Sequence, residues 1–241
     1  MNYRDRRVGK PTAERKDKLG EIFFDKTPVK LSSSSFTAIH IFPALAFDDG
    51  HTCDLDSLWN NEDLLLALNV WEPPANWRHV WTLERRFNKD GLLLFHHIPD
   101  FSGQYIQFHE TGVIEAVDHE LHSWSLSNSR VIPAAHWENG ILRILPPLLS
   151  ALKAIGGGTP AAICISIRDE LEYASVSYEQ DAVKNTNDPG NRHRLGIKDG
   201  LLVLPLTIAS TFDENIAVLL RPCFNALARA GGLPGSPRYG K

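Results

Sequence analysis

Residues 104–118, QYIQFHETGVIEAVD, constrain this chain more than any other stretch. Two alternating runs, Tyr105-Ile106-Gln107-Phe108 and Val113-Ile114-Glu115-Ala116-Val117, flank Glu110-Thr111-Gly112, and glycine supplies the positive φ that a tight connection needs. The spacing predicts a β-hairpin. Another hairpin is predicted just before it, where Val80–Phe87 and Leu92–His97 flank Asn88-Lys89-Asp90-Gly91 with its Asp-Gly turn signal. Four strands in succession predict an antiparallel meander. Upstream, Phe36–Phe42 has the β-branched and aromatic content of a buried strand, and Pro43 ends it.

The helical signals are fewer. Between Pro133 and Ile155, Leu142, Leu145, Leu148, Leu149, Leu152 and Ile155 form a stripe at helical spacing, which Pro146 and Pro147 are expected to kink or divide and Gly156-Gly157-Gly158 to stop. Asp213 is expected to cap a second helix running to about Arg229, kinked at Pro222 and closed by Gly231-Gly232. Thr12 precedes a short helix at Ala13–Phe24. Ala161–Ile167 and Leu171–Tyr178 read as a third hairpin or a strand pair around Arg168-Asp169-Glu170, Leu201–Pro205 as a short strand or extended segment, Ser32–Ser35 as a turn or short linker, and residues 48–79 as loop-rich, with Asp54 in a turn and helix cap. Hairpins first, then helix, hairpin and helix, indicate an α+β fold. Its largely antiparallel sheet, built from hairpins, is packed by a kinked Leu-rich helix and a C-terminal helix. The predicted organisation is a basic leader with its short helix at 1–31, a single domain at 32–236 and a tail at 237–241.

A chain of 241 residues with 43% hydrophobic content can bury a substantial core. No apolar run reaches bilayer length and MNYRDRRVGK lacks the apolar middle of a secretory signal, so a cytoplasmic protein without membrane contact is expected. Cys53, Cys164 and Cys223 are odd in number and far apart, a poor disulfide framework that suits a reducing compartment. The net charge of −4 is uneven along the chain. Residues 1–30 hold nine Lys+Arg against five Asp+Glu, net +4, which leaves sixteen against twenty-four, net −8, for the rest. Such a leader can touch a phosphate backbone, its own domain or an acidic partner, and the nucleic-acid candidates are Arg4, Arg6, Arg7, Lys10, Arg15, Lys16 and Lys18.

No signature of catalysis is complete. The Gly156–Gly158 run follows a helix instead of opening one, the reverse of a phosphate cradle, and no Gly-x-Ser-x-Gly elbow exists. His119-Glu120-Leu121-His122, with His96, His97 and His109, lacks the i, i+4 pair of a helical zinc site. Pro99-Asp100 suits a restriction-type nuclease, but Lys153, Lys184 and Lys198 have Ala151, Ala182 and Gly196 two positions before them, where an acid is needed. Arg192-His193-Arg194 reads as a solvated loop able to contact an anion, and Trp71, Trp77 and Trp81 read as core anchors. No catalytic, metal-binding or cofactor-binding residue is therefore assigned, and no cofactor is expected. One enzymatic alternative stands, a metal-dependent hydrolase or nuclease in which the hairpins bring together His96, His97, His109, Asp100 and Glu115.

Several segments, in order, resemble the C-terminal region that follows the Schlafen-type AlbA-2 putative DNA-binding (ATP-binding) domain in bacterial proteins. They are Glu14-Arg15, Ala38-Ile39-His40-Ile41-Phe42-Pro43, Asn88-Lys89-Asp90-Gly91-Leu92, Gly112-Val113-Ile114-Glu115-Ala116-Val117, Leu202-Val203-Leu204-Pro205 and Leu220-Arg221-Pro222-Cys223-Phe224-Asn225-Ala226-Leu227. The resemblance spans roughly Ala13 to Ser236, without the AlbA-2 domain itself and without the tryptophan usual near Ala228. It implies the fold and a bacterial setting beside an AlbA-2 domain, and it transfers no catalytic residue. The basic leader on a core without a complete active site leads to the expected function, a non-catalytic binding or regulatory domain whose partner is an upstream AlbA-2 domain or another protein.

Overall fold

The computed structural model describes residues 27–31, 35–69, 82–97, 103–119, 124–126, 129–168, 175–178, 193–194 and 200–239. The hairpin expected at 104–118 is present as β4 (Gln104–His109) and β5 (Ile114–Asp118), and Gly112 takes a φ of 84° in the turn. Before it stand β2 (Thr82–Asn88) and β3 (Gly91–His97), so the predicted meander β2-β3-β4-β5 forms one side of a sheet. The sheet continues through β1 (Phe36–Pro43) and β8 (Ala161–Arg168) to two short strands, β11 (Leu201–Val203) and β12 (Thr207–Ala209), both antiparallel to β8. A smaller four-stranded sheet joins β6 (Trp124–Leu126), β7 (Ser129–Pro133), β9 (Ser175–Ser177) and β10 (His193–Arg194), with β7 and β9 parallel. The fold is α+β with a mostly antiparallel main sheet.

Strand alternation divides that sheet into two faces. On one, Ile39, Ile41, Leu92, Leu94, Ile106, Phe108, Ile114, Ile163 and Ile165 join the main core. The helix α3 (Ala134–Ala154) lays Trp137, Ile141, Ile144, Leu145, Leu148, Leu149 and Leu152 into the same core. Trp137 also donates its indole N–H to Thr37 Oγ1 at 3.0 Å, tying helix to sheet.

Four sequence expectations are corrected. Pro146 and Pro147 do not divide α3, which runs unbroken through both. An interior proline costs about 3 kcal/mol, whereas a buried Leu or Ile contributes about 1.5–3 kcal/mol. Ile144, Leu145, Leu148 and Leu149 flank the prolines and are all buried, so packing offsets the proline cost and the helix stays continuous. The third hairpin does not form: β8 has β1 on one side and β11 and β12 on the other, so β9 pairs in the second sheet with β7 and β10. The C-terminal helix is two helices, α4 (Ile216–Leu219), capped by Asn215 instead of Asp213, and α5 (Arg221–Ala230). Pro222 stands in the first turn of α5, where its missing N–H costs no hydrogen bond.

Finally, the loop-rich region contains α1 (Leu55–Trp59), capped by Asp54, and α2 (Glu62–Leu68), capped by Asn61. Asp54 thus takes the capping role its sequence context indicated. Arg192 lies outside the described residues, but His193 and Arg194 pair with β9 as β10. The helix at Ala13–Phe24, the turn at residues 32–34, the tryptophans 71, 77 and 81 and Pro99-Asp100 also lie outside the described residues.

Gly91 opens β3 with a φ of 136°, and a Cβ there would stand 2.1 Å from the Phe108 carbonyl oxygen. Gly50 has a φ of 84° with nothing within 4 Å of an added Cβ. Gly50→Ala therefore costs only the left-handed backbone penalty, about 1–2 kcal/mol. Gly91→Ala must also push apart the β3–β4 pairing and is expected to lose at least about 2 kcal/mol more. Urea unfolding of the two variants measures the difference, and equal midpoints would show that the β3–β4 approach is looser than described.

Candidate functional site

The sheet's other face is built by strand register. Arg86 pairs with Leu93, Leu93 with Gln107, Gln107 with Glu115, Glu115 with His40 and His40 with Cys164, so these six side chains form one row on one face. The neighbouring row toward the β2–β3 turn holds Asn88, Gly91 and His109. On the far side Phe36, Ala38, Phe95, Tyr105 and Val117 form a second apolar cluster with Leu93, against which Val29 and Leu31 pack. This face mixes polar groups with grease.

At its centre lies Glu115, only 5% exposed. His40 Nε2 donates to Oε2 at 2.8 Å, and the Tyr105 hydroxyl donates to Oε1 at 2.6 Å. Burial alone would raise the Glu115 pKa, but the hydrogen bond and charge of His40, the Tyr105 hydrogen bond and the nearby His109 together hold it below the ordinary carboxylate value. Burial, and then the charge and hydrogen bond of Glu115, raise the Tyr105 hydroxyl, so it stays a donor. His109 is lowered, chiefly by burial, although Glu115 and Asp90 both pull it the other way. It lies within electrostatic reach of both carboxylates.

A second bonded pair fixes the neighbouring floor. Asn88 Nδ2 donates to Gln107 Oε1 at 2.7 Å, and Gln107 Nε2 also reaches the Leu92 and Phe108 carbonyls at 3.4 and 3.3 Å. Asn88 reaches Gln107 from the row of Gly91, which has no side chain to stand between them. Above these groups opens a cleft of about 660 Å³, whose lining includes Thr27, Pro28, Asn88, Asp90, His109 and Glu115. That volume is typical of a small-molecule site.

Of the residues considered for a hydrolase, His109 and Glu115 meet in this cleft. His96 does not, because its even position in β3 turns it with Leu92 and Leu94 toward the main core. The side chain of His97, and Asp100, are outside the described residues, as are Arg4, Arg6, Arg7, Lys10, Arg15, Lys16 and Lys18. His119 Nδ1 donates to the Gly103 carbonyl at 2.8 Å. Among the described residues no group of three His, Cys, Asp or Glu side chains could hold a metal ion. Cys53, Cys164 and Cys223 are free, and burial raises all three thiols, Cys223 to about 12.

Sequence reasoning missed His40, Tyr105 and Gln107. Their signal was parity: Tyr105, Gln107 and His109 share one face of β4, and that face was legible as the polar side of a hairpin. His40 sits in the apolar strand β1, and only its register opposite Glu115 reveals its role. No family model matches the chain, and neither does any curated protein or solved structure. Among the described residues no helix is long and apolar enough to cross a membrane.

Burial lowers His96 from 6.5 to about 4. Between those values the unfolded chain binds the proton that folded His96 refuses, so acidification removes stability, roughly 3 kcal/mol over the full window. Comparing urea unfolding at pH 7 and pH 4.5, the wild type should lose roughly 2–3 kcal/mol more than His96→Gln. Equal losses would mean that His96 is solvated.

Proposed function

We propose that this chain is a non-catalytic binding module that captures a small polar molecule in the cleft over β2–β5. One observation carries the reading: an anionic carboxylate, Glu115, is buried at the floor of a cleft of about 660 Å³ with both oxygens held by donors from neighbouring strands. A charge taken out of water is expensive unless paired, and rigid placement of such a group at a cleft floor is the arrangement that orients a ligand. The same features argue against catalysis. A carboxylate held below its usual range is a weak general base at neutral pH, and raised thiols are weak nucleophiles. The resemblance to the region after AlbA-2 domains adds the wider setting: a bacterial regulatory domain that reports its ligand to a DNA-binding or effector partner.

Screening the full-length chain by thermal unfolding against amines, carboxylates, nucleosides and sugars tests this. A ligand at a hundred times its Kd adds about 2.7 kcal/mol, or roughly 5–10 °C for a chain of this size, and the shift should vanish in Glu115→Gln. No shift from any member would overturn the binding reading. Turnover of a bound compound that is lost in His109→Ala would replace it with a hydrolase, in which His109 and Glu115 act together.

A further inference from the structure

We infer that the molecule held in this cleft is a small organic cation, one that presents a protonated amine to Glu115; the inference rests on the binding reading above. A carboxylate offers about four acceptor positions on its two oxygens, and His40 and Tyr105 occupy one on each. The acceptors that remain can take an ammonium N–H. An anionic ligand would instead bring a like charge against Glu115.

The other polar groups point the same way. The Gln107 amide is bonded to Asn88 and to two backbone carbonyls, so it is not a free donor for a ligand carboxylate. His109, whose proton affinity burial lowers, lines the same cleft and lies between the fields of Glu115 and Asp90. Asp90 extends the negative potential from the floor to the β2–β3 turn. The cation Arg86 lines the cleft too, but its guanidinium is engaged, lying 4.9 Å from the Phe95 ring centroid and donating to the Pro28 carbonyl at 3.4 Å. Lys89 also lines the cleft, but it is exposed on the same turn, where water screens its charge.

Isothermal titration of the full-length chain with three probes of equal length, cadaverine, glutarate and 1,5-pentanediol, separates the charge types. Cadaverine is expected to bind, and the other two are not. Its Kd should rise at least about tenfold in Glu115→Gln, the equivalent of one charged hydrogen bond. In Asp90→Asn, an exposed turn position that leaves the fold intact, it should rise about threefold. Binding of glutarate or the diol but not cadaverine overturns the cationic assignment and leaves the cleft as a binding site. Cadaverine binding that neither variant weakens places the amine elsewhere and also overturns it. If none of the three binds and the broad screen also yields no ligand, both readings fail.

Discussion

The structure of the second sheet face depends on the Glu115 carboxylate and its two donors. A carboxylate 5% exposed loses nearly all of its hydration, and an uncompensated buried charge costs several kcal/mol. Here the compensation comes from both neighbouring strands, His40 on β1 and Tyr105 on β4, at 2.8 and 2.6 Å. Removing one partner of such a buried pair is typically worth about 3–5 kcal/mol. The interaction therefore also selects register. Sliding β1 or β4 by one residue against β5 would turn His40 or Tyr105 to the other face and strip one Glu115 oxygen of its donor.

That penalty acts together with the apolar face. The same one-residue slip would drive Ile39 and Ile41, or Ile106 and Phe108, out of the core that α3 covers. The core on one side and the hydrogen-bonded carboxylate with its apolar neighbours on the other thus specify the same pairing. Agreement between independent constraints is what gives a sequence one structure instead of several. It also separates labour, because α3 and its partners supply the stability while the opposite face is left free to be polar. Tyr105 bridges the two roles: its ring packs with Phe95 and Val117 while its hydroxyl serves Glu115.

How much of this was legible depended on range. The hairpin at 104–118, the turn at Asn88–Gly91 and the stripe from Leu145 to Leu152 are local patterns, and each formed. Elements decided by distant packing were not readable. The two prolines of α3 look like a break until Ile144 and Leu148 are seen to be clamped by the sheet. Leu171–Tyr178 looks like the return arm of a hairpin until β11 and β12 are found on the free side of β8. The site was half visible: Glu115 and His109 belong to one hairpin, so their shared face follows from alternation. His40 is 75 positions from Glu115, and no local period reports which residue lies across the β1–β5 seam.

The placement of the site on strands has a consequence for its selectivity. A loop-built pocket adapts its donors to whatever enters, at the cost of ordering them. Here each floor group is fixed before a ligand arrives, Glu115 by an imidazole and a phenol donor and Gln107 by Asn88 and the backbone. Rotating Glu115 to suit a different ligand would break bonds to His40 and Tyr105 in a place where water cannot replace them. Discrimination then follows from charge: both Glu115 oxygens already hold one donor each, and a ligand that brings a further donor adds a charged hydrogen bond worth about 1.5–3 kcal/mol that a ligand without one lacks. A face assembled this way recognises charge type strictly and shape loosely, since its open side is a cleft and not a closed cavity.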